Sequence, residues 1–290
     1  MLAGALIVAA LGVWAFWLEP RSLRVREHAL ALPGWPRGLA GLRVAVLTDL
    51  HVGSPFNDLA RLRRIVATTN EARPDIVLVT GDLVILGIVG GTFVEPEPIA
   101  AELARLAAPL GVWATLGNHD WWRDGRRVRR ALEAVGIRVL DNDAARVTPR
   151  ETTSLGDPET RGDAAFWLVG IADFWVGGYD VAAALAPVTD DAPIVAMTHN
   201  PDIFPELPSR VALLIAGHTH GGQVWLPLVG RPIVPSVYGQ RYAAGSVVEN
   251  GRRLFVATGV GMSILPVRFL VPPEVSILVL GAPGDQAERR

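Results

Sequence analysis

The sequence contains no cysteine and no lysine. The first absence excludes disulfide scaffolds, thiolate zinc sites and cysteine nucleophiles. It is compatible with either side of a membrane. The second leaves arginine as the only strong base: 27 basic residues, all Arg, face 29 acidic ones for a formal net charge of -2. A protein that grips nucleic acid through its phosphates needs a basic excess, so no nucleic-acid partner is expected and a nuclease is disfavoured. Charged residues make up 19% of the chain and hydrophobic ones 50%, which excludes a disordered chain. Internal repeats are also missing, and 290 residues suffice for one large domain or two small ones.

Charge is missing altogether from Met1 to Leu18. This run is broken only by glycines and lies at the short end of what crosses a hydrocarbon core of roughly 30 Å. Trp14 and Trp17 sit near its end, where amphipathic rings favour the interface, and Arg21, Arg24 and Arg26 follow. A cleaved signal peptide opens with basic residues and ends at a small-residue site. Here the start lacks basic side chains and the end is Trp17-Leu18-Glu19-Pro20. With no polar stripe, the segment does not read as a buried amphipathic helix either. Residues 1–18 are therefore read as a retained single-pass anchor in the cell membrane. The downstream arginines lean toward a cytoplasmic catalytic domain by the positive-inside rule.

Residues 19–41 read as a connector. Leu23 and Val25 alternate with Arg24 and Arg26, which predicts a short edge strand, and Pro33, Gly34 and Pro36 break any helix beside Trp35. From residue 42 to 282 a single domain is expected, followed by a tail over 283–290. Apolar runs at Arg43–Thr48, Ile76–Thr80 and Val112–Leu116 alternate with helical stretches at Asp58–Glu71, Pro98–Ala107 and Arg126–Val135. That order predicts an α/β fold with a mostly parallel, buried sheet. The second half is richer in strands: Phe166–Gly170, Ile194–Thr198, Ala212–Ala216, Leu254–Thr258 and Val275–Leu280. The polar stretch 143–164 reads as a surface excursion.

Polar clusters close five of the apolar runs. They are Asp49-Leu50-His51, Gly81-Asp82, Gly117-Asn118-His119-Asp120, Thr198-His199-Asn200 and Gly217-His218-Thr219-His220. Open α/β sheets bind ligands beyond the carboxyl ends of their strands, so these clusters share one rim. Five of the six histidines fall in them, with only His28 outside. Carboxylate, amide and imidazole donors without sulfur suit Mn, Fe or Zn. Close metal pairs are commonly joined by a shared carboxylate, and Asp82 is the natural bridge. Two cations roughly 3.5–4 Å apart clamp an in-line displacement at phosphorus.

With these clusters in this order, the sequence resembles the calcineurin-like metallophosphoesterases. The resemblance implies two packed mixed β-sheets flanked by helices. It implies that Asp49, His51 and His220 hold one divalent metal ion, that Asn118, His199 and His218 hold a second, and that Asp82 bridges them. It further implies that His119 faces the phosphate as a catalytic group that helps protonate the leaving group, and that Asp120 orients His119. The reaction so implied is attack on phosphorus by a metal-bridged hydroxide. The anchor, the Pro-containing connector and the run Gly217–Gln223 are similar to a membrane-associated bacterial subgroup. That subgroup includes cell-wall-associated phosphoesterases and a UDP-2,3-diacylglucosamine pyrophosphatase of lipid A synthesis.

The expected function is thus phosphoester hydrolysis at the membrane on a substrate that can be lipid-linked. Lipid-nucleotide pyrophosphate cleavage is the alternative, and a non-catalytic scaffold of the same fold is the alternative from another class. A scaffold is expected to have lost ligands or His119, and this chain has not. Trp121 and Trp122 are read either as groove lining or as packing of a helix start. The apolar stretch Leu83–Val94 is read as a buried connector, with bilayer docking or acyl-chain binding as its functional reading. Arg123, Arg126, Arg127, Arg129 and Arg130 read as a solvated helix face. Arg268 acquires no role at this stage.

Overall fold

The computed structural model describes residues 1–149 and 164–283. Two six-stranded mixed sheets pack face to face, with helices on their outer sides. The first sheet has the order β1-β12-β2-β3-β4-β5, using β1 (Arg24–Ala31), β2 (Leu42–Leu47), β3 (Ile76–Thr80), β4 (Val112–Thr115), β5 (Arg138–Val139) and β12 (Glu274–Gly281). The second has the order β10-β11-β9-β8-β7-β6, using β6 (Asp143–Val147), β7 (Phe166–Gly170), β8 (Ile194–Met197), β9 (Val211–Ala216), β10 (Gly245–Glu249) and β11 (Arg252–Val256). Strands β2 to β5 run parallel, as do β7, β8, β9 and β11. Only β12 against β2, β6 against β7 and β10 against β11 are antiparallel.

Side-chain alternation sorts each strand into two layers. In β2, Val44 and Val46 face the core between the sheets, where they join Leu78, Trp113, Leu168, Met197, Leu213 and Ile215. Ala45 and Leu47 face outward onto α2 (Leu59–Glu71), α3 (Pro96–Leu103) and α4 (Asn118–Ala134) through Leu62, Ile65, Ile99, Leu103, Val128 and Leu132. The second sheet packs its outer face on Ala184 of α5 (Val181–Leu185) and on Phe204 and Tyr242. Because both faces of each sheet are covered, the central strands read as unbroken apolar runs.

One further helix, α1 (Leu2–Arg21), precedes the sheets, and it is long and apolar enough to cross a membrane. None of its first twelve residues is buried, and only its last turns meet the domain. The alternation at Leu23 and Val25 corresponds to β1, which pairs in parallel with β12 at the sheet edge. Two expectations need correction. Residues 143–147 are not an excursion but strand β6, whose polar sequence suits a sheet edge that buries only Val147 fully. Residues 150–163 of that excursion, and 284–290 of the tail, lie outside the described residues. The third helix of the first half begins at Asn118, not Arg126, and is broken at Asp124. Gly117 caps it, with Asp120 at the third helical position bonding back to the Gly117 N–H (3.0 Å).

Candidate metal centre

The five polar clusters follow β2, β3, β4, β8 and β9 and meet in the seam between the two sheets. Their backbones are unusual. Asp49, His51, Asp82, His218 and His220 all have positive φ, between 39° and 68°. Non-glycine residues adopt this region rarely and at a cost of order 1–3 kcal/mol each. Such strain turns side chains sharply off the strand ends into a common pocket. The loops after β2 and β3 pair with each other beyond the strands, through His51 N–H to Asp82 O (2.9 Å) and Val52 N–H to Leu83 O (2.9 Å). Gly217 is where the sheets come closest: a Cβ there would lie 1.9 Å from Thr48 Oγ1 and 2.7 Å from Asp49 Oδ2.

Within the seam, Asp49, His51 and His220 form one group able to hold a metal ion. Asp82, His199 and His218 form a second, and His51, Asp82 and His119 a third. Nε2 of His220 lies 3.2 Å from Asp49 Oδ1 and 3.2 Å from His51 Nε2. His199 Nε2 lies 3.2 Å from Asp82 Oδ2 and 3.1 Å from His218 Nδ1, and His51 Nε2 lies 3.4 Å from Asp82 Oδ2. Donors about 2.0–2.2 Å from one cation sit about 3 Å from each other, which is the spacing found. Asp82 belongs to two of the groups, the position required of a bridge. Asn118 Oδ1 and Asp49 Oδ1 are buried without a hydrogen-bond partner, acceptors with lone pairs that suit a cation.

The surroundings aim these donors. His199 Nδ1 bonds Thr80 O (2.8 Å) and His51 Nδ1 bonds Val84 O (3.2 Å), which leaves each Nε2 turned into the seam. Asp49 Oδ2 accepts from the His218 N–H (3.0 Å) and from Thr48 Oγ1 (2.9 Å). The expected pairing of Asp120 with His119 is corrected. The Asp120 carboxylate instead accepts the N–H groups of Asp82, Leu83, Val84 and Gly117, and His119 Nδ1 has no partner. As a capping residue facing its own N-terminus, Asp120 fixes the loop that carries Asp82 rather than the neighbouring ring.

Burial and charge make the pocket one that a cation suits. Asp49, His51 and His199 are fully buried, and Asn118, Asp82, His220, His218 and His119 nearly so. Burial pushes the Asp49 carboxyl up to about 6 and raises Asp120 and Asp173 as well. Burial also opposes protonation of His199, but Asp82, Asp49 and Asp173 outweigh it and lift that imidazole to about 10. His199 in turn holds Asp82 well below the usual carboxylate range against its own burial. Burial lowers His51 and His218 to about 3 and holds His220 well below its ordinary value, so those rings are neutral donors at pH 7. The buried carboxylates of the seam are thus answered by one imidazolium, positive charge of the kind a metal ion can also supply.

A cleft of about 310 Å³ opens onto the seam, lined by His119, Asn118, His218 and His220 and rimmed by Trp122, Trp175, Leu86, Ile233 and Ile264. The two adjacent tryptophans separate: Trp121 packs on the core outside the first sheet, while Trp122 is 47% exposed and lies 5.2 Å from the His119 ring. Neighbours on a helix point about 100° apart, so both cannot serve the cleft. Trp175, which sequence reasoning missed, stands beside Trp122 at the rim, the two rings stacked 6.3 Å apart, and lies 4.3 Å from His218, edge-on. Asp173 holds its loop through the N–H groups of Trp175 and Val176. Of the Leu83–Val94 stretch, Leu83, Val84, Ile85 and Ile88 are buried, while Leu86 and Val89 are exposed. Arg127 and Arg129 pair with Glu97 and Glu133, as suits a solvated face.

Arg268 was also missed as a contributor. It is fully buried, and its guanidinium donates to the carbonyls of Gly261, Val271, Thr258 and Gly259. The loop so tied leans on the centre, with Gly261 N–H donating to Asp49 O (2.8 Å).

Comparison with known proteins bears on the same segment. The family described as calcineurin-like phosphoesterase matches residues 42–222. The chain is 30% identical over 280 residues to the uncharacterized metallophosphoesterase YkuE of Bacillus subtilis, covering 96% of this chain and 92% of that one. It is 31% identical to the phosphodiesterase YaeI of Escherichia coli, covering 91% and 90%. It is 28% identical to the UDP-2,3-diacylglucosamine pyrophosphatase LpxG of Chlamydia trachomatis, covering 92% of each chain.

Proposed function

The chain belongs to the calcineurin-like phosphoesterase family, and we propose that it is a dinuclear metal-dependent hydrolase of phosphoester bonds, held at the membrane by residues 1–18. One observation carries the reading: donors from five strand ends, in both sheets, converge at metal-ligand spacing in a single buried seam. Asp49, His51 and His220 would hold one divalent ion, and Asn118, His199 and His218 the other, with Asp82 between. Bound there, Mn, Fe or Zn ions supply positive charge for phosphoryl oxygens and acidify water near neutral pH.

The chain's own residues divide the remaining work. His199 and His51 are pinned by carbonyls and keep the donor geometry fixed without substrate. Asp120 holds the Asp82 loop by four N–H groups. His119 stands at the cleft wall with a ring nitrogen free of protein partners. Burial lowers its pKa, so a proton reaches the leaving oxygen through His119 chiefly when anionic phosphate favours the charged ring. Trp122 and Trp175 flank the opening and exclude water from one side of a bound ester.

The test uses the full chain in detergent with bis-p-nitrophenyl phosphate. Hydrolysis is expected with Mn²⁺ and is expected to vanish on chelation. A protein that binds two equivalents of Mn²⁺ yet turns over neither this ester nor a pyrophosphate diester is the non-catalytic scaffold. A second reading has one observation in its favour. The rim of the cleft is apolar, with Leu86, Ile233 and Ile264 beside the tryptophans, and a relative of similar length is named as a pyrophosphatase of a diacylated nucleotide sugar. Preference for UDP-2,3-diacylglucosamine over simple diesters would select it.

A further inference from the structure

The last turns of α1 do not hang free of the domain. The Arg268 N–H donates to the carbonyl of Ala15 (3.0 Å), and the Leu270 N–H donates to the buried carboxylate of Glu19 (2.9 Å). Trp17 packs on Phe56 at 5.4 Å, with the Arg21 guanidinium 3.5 Å from the Trp17 ring. These contacts fix the depth of the domain. Ala15 lies three residues before the end of the apolar run, about 4.5 Å at the helical rise. If α1 crosses a bilayer, the segment 268–270 lies within that distance of the hydrocarbon boundary.

Backbone hydrogen bonds connect this segment with the metal cleft. Trp225 N–H donates to Phe269 O and Phe269 N–H to Gln223 O, which seats the hairpin turn carrying Leu228 and Val229. The neighbouring loop carries Ile264 and Leu265, and Val89 N–H donates to Ile264 O. Leu228 is wholly exposed, Ile264 69% exposed and Val229 62% exposed. Burying each such side chain is worth about 1.5–3 kcal/mol, and contiguous apolar surface mostly marks an interaction site. Ile264 lines the cleft itself. Arg21, Arg24 and Arg26, all exposed where the helix meets the domain, supply charge that anionic headgroups attract.

We propose that the loops 223–229 and 263–270 form a second, bilayer-docking contact that presses the mouth of the metal cleft onto the headgroup layer. The substrate phosphoester would then be taken from the membrane rather than from bulk solution. That last step rests on the hydrolase reading above, whereas the docking does not. A lipid surface is the occupant because α1 fixes these loops at interfacial depth.

The cysteine-free sequence makes the test direct. Leu228→Cys and Ile264→Cys are each labelled with an environment-sensitive fluorophore, beside Asp191→Cys as control. Asp191 is fully exposed and precedes β8, at the end of the sheet opposite the seam. The full chain, one copy per nanodisc, is challenged with nitroxide-bearing lipid and with aqueous iodide. Probes at 228 and 264 are expected to be quenched several-fold more by the lipid, and the probe at 191 more by iodide. Equal behaviour at all three positions overturns the proposal, as does protection of the 228 probe from both quenchers, which would mean protein covers it. Mn²⁺-dependent hydrolysis of bis-p-nitrophenyl phosphate by the unlabelled parent chain in the same nanodiscs separates the readings: lipid quenching absent with an active parent loses the docking alone, and quenching present with an inactive parent loses the hydrolase alone.

Discussion

The first sheet sends Asp49, Asp82 and Asn118 to the seam together with His51, whereas the second sends only imidazoles, His199, His218 and His220. The carboxylates of the donor groups therefore come from one side and most of the imidazoles from the other. Neither sheet holds a complete set: the group around Asp49 needs His220 from across the seam, and the group around Asp82 needs His199 and His218. Ligand binding and sheet packing are in this way one event, and metal should stabilise the whole fold by mass action.

The asymmetry predicts unequal consequences for single substitutions on the two sides. Asp82 is shared by two donor groups, while His220 belongs to one. Asp82→Ala is expected to abolish both metal equivalents and turnover, and His220→Ala to abolish one equivalent and most turnover. Metal content by elemental analysis of purified full-length variants, with Mn²⁺-dependent rates, checks this. Equal losses from both variants would break the distinction between a bridging side and a terminal side. His119→Ala is expected next in size, with metal content unchanged and kcat lower by about 10²–10⁴-fold. Full turnover by that variant would remove His119 from the chemistry.

Much of this architecture was legible in the sequence because it rests on strong periodic signals. The β2, β3, β4, β8 and β9 runs are apolar and end at polar clusters, so strand ends and donor positions coincide. The illegible parts share a different cause: they are decided by tertiary neighbours. Arg268 sits in an apolar run that gives no hint of four carbonyls converging on it. Trp175 becomes a cleft wall only because β7 ends beside β8. Strand β6 is polar because a sheet edge tolerates it, and α4 starts eight residues earlier than its apolar spacing suggests because Asp120 caps it. Asp120 was expected to orient His119 but bonds backbone N–H groups instead, since local spacing cannot tell a ring from a row of N–H groups.

The closest approach of the sheets offers a milder perturbation. In Gly217→Ala the new methyl meets Thr48 Oγ1 and Asp49 Oδ2 at impossible distances, and both belong to the opposite sheet. Backbone on both sides must give way, with a stability loss of about 1–3 kcal/mol and weakened metal binding. Thermal unfolding with and without Mn²⁺ reads both. An unchanged response to Mn²⁺ would show that the seam flexes independently of its ligands.

Asp141 provides a carboxylate of the first-sheet side that faces no imidazole. It follows β5 and is mostly buried, with Arg129 Nη1 at 3.2 Å and Glu133 and Asp173 as its like-charged neighbours. Burial lifts it to about 6 from an ordinary value of 3.8, with Arg129 opposing. An acid whose pKa is raised by folding binds more protons folded than unfolded between these two values, so its contribution to stability falls as pH rises through that window. Asp141→Asn removes the pH-dependent part and also weakens the half-exposed Arg129 pair, which is worth up to about 1 kcal/mol. The variant should therefore gain relative to the parent between pH 4.5 and pH 7.5, by about 1–2 kcal/mol or a few degrees in Tm. A Tm difference between variant and parent that stays constant across the range would mean that Arg129 already neutralises Asp141 in full, and that buried carboxylates of this sheet do not need imidazole partners from the other.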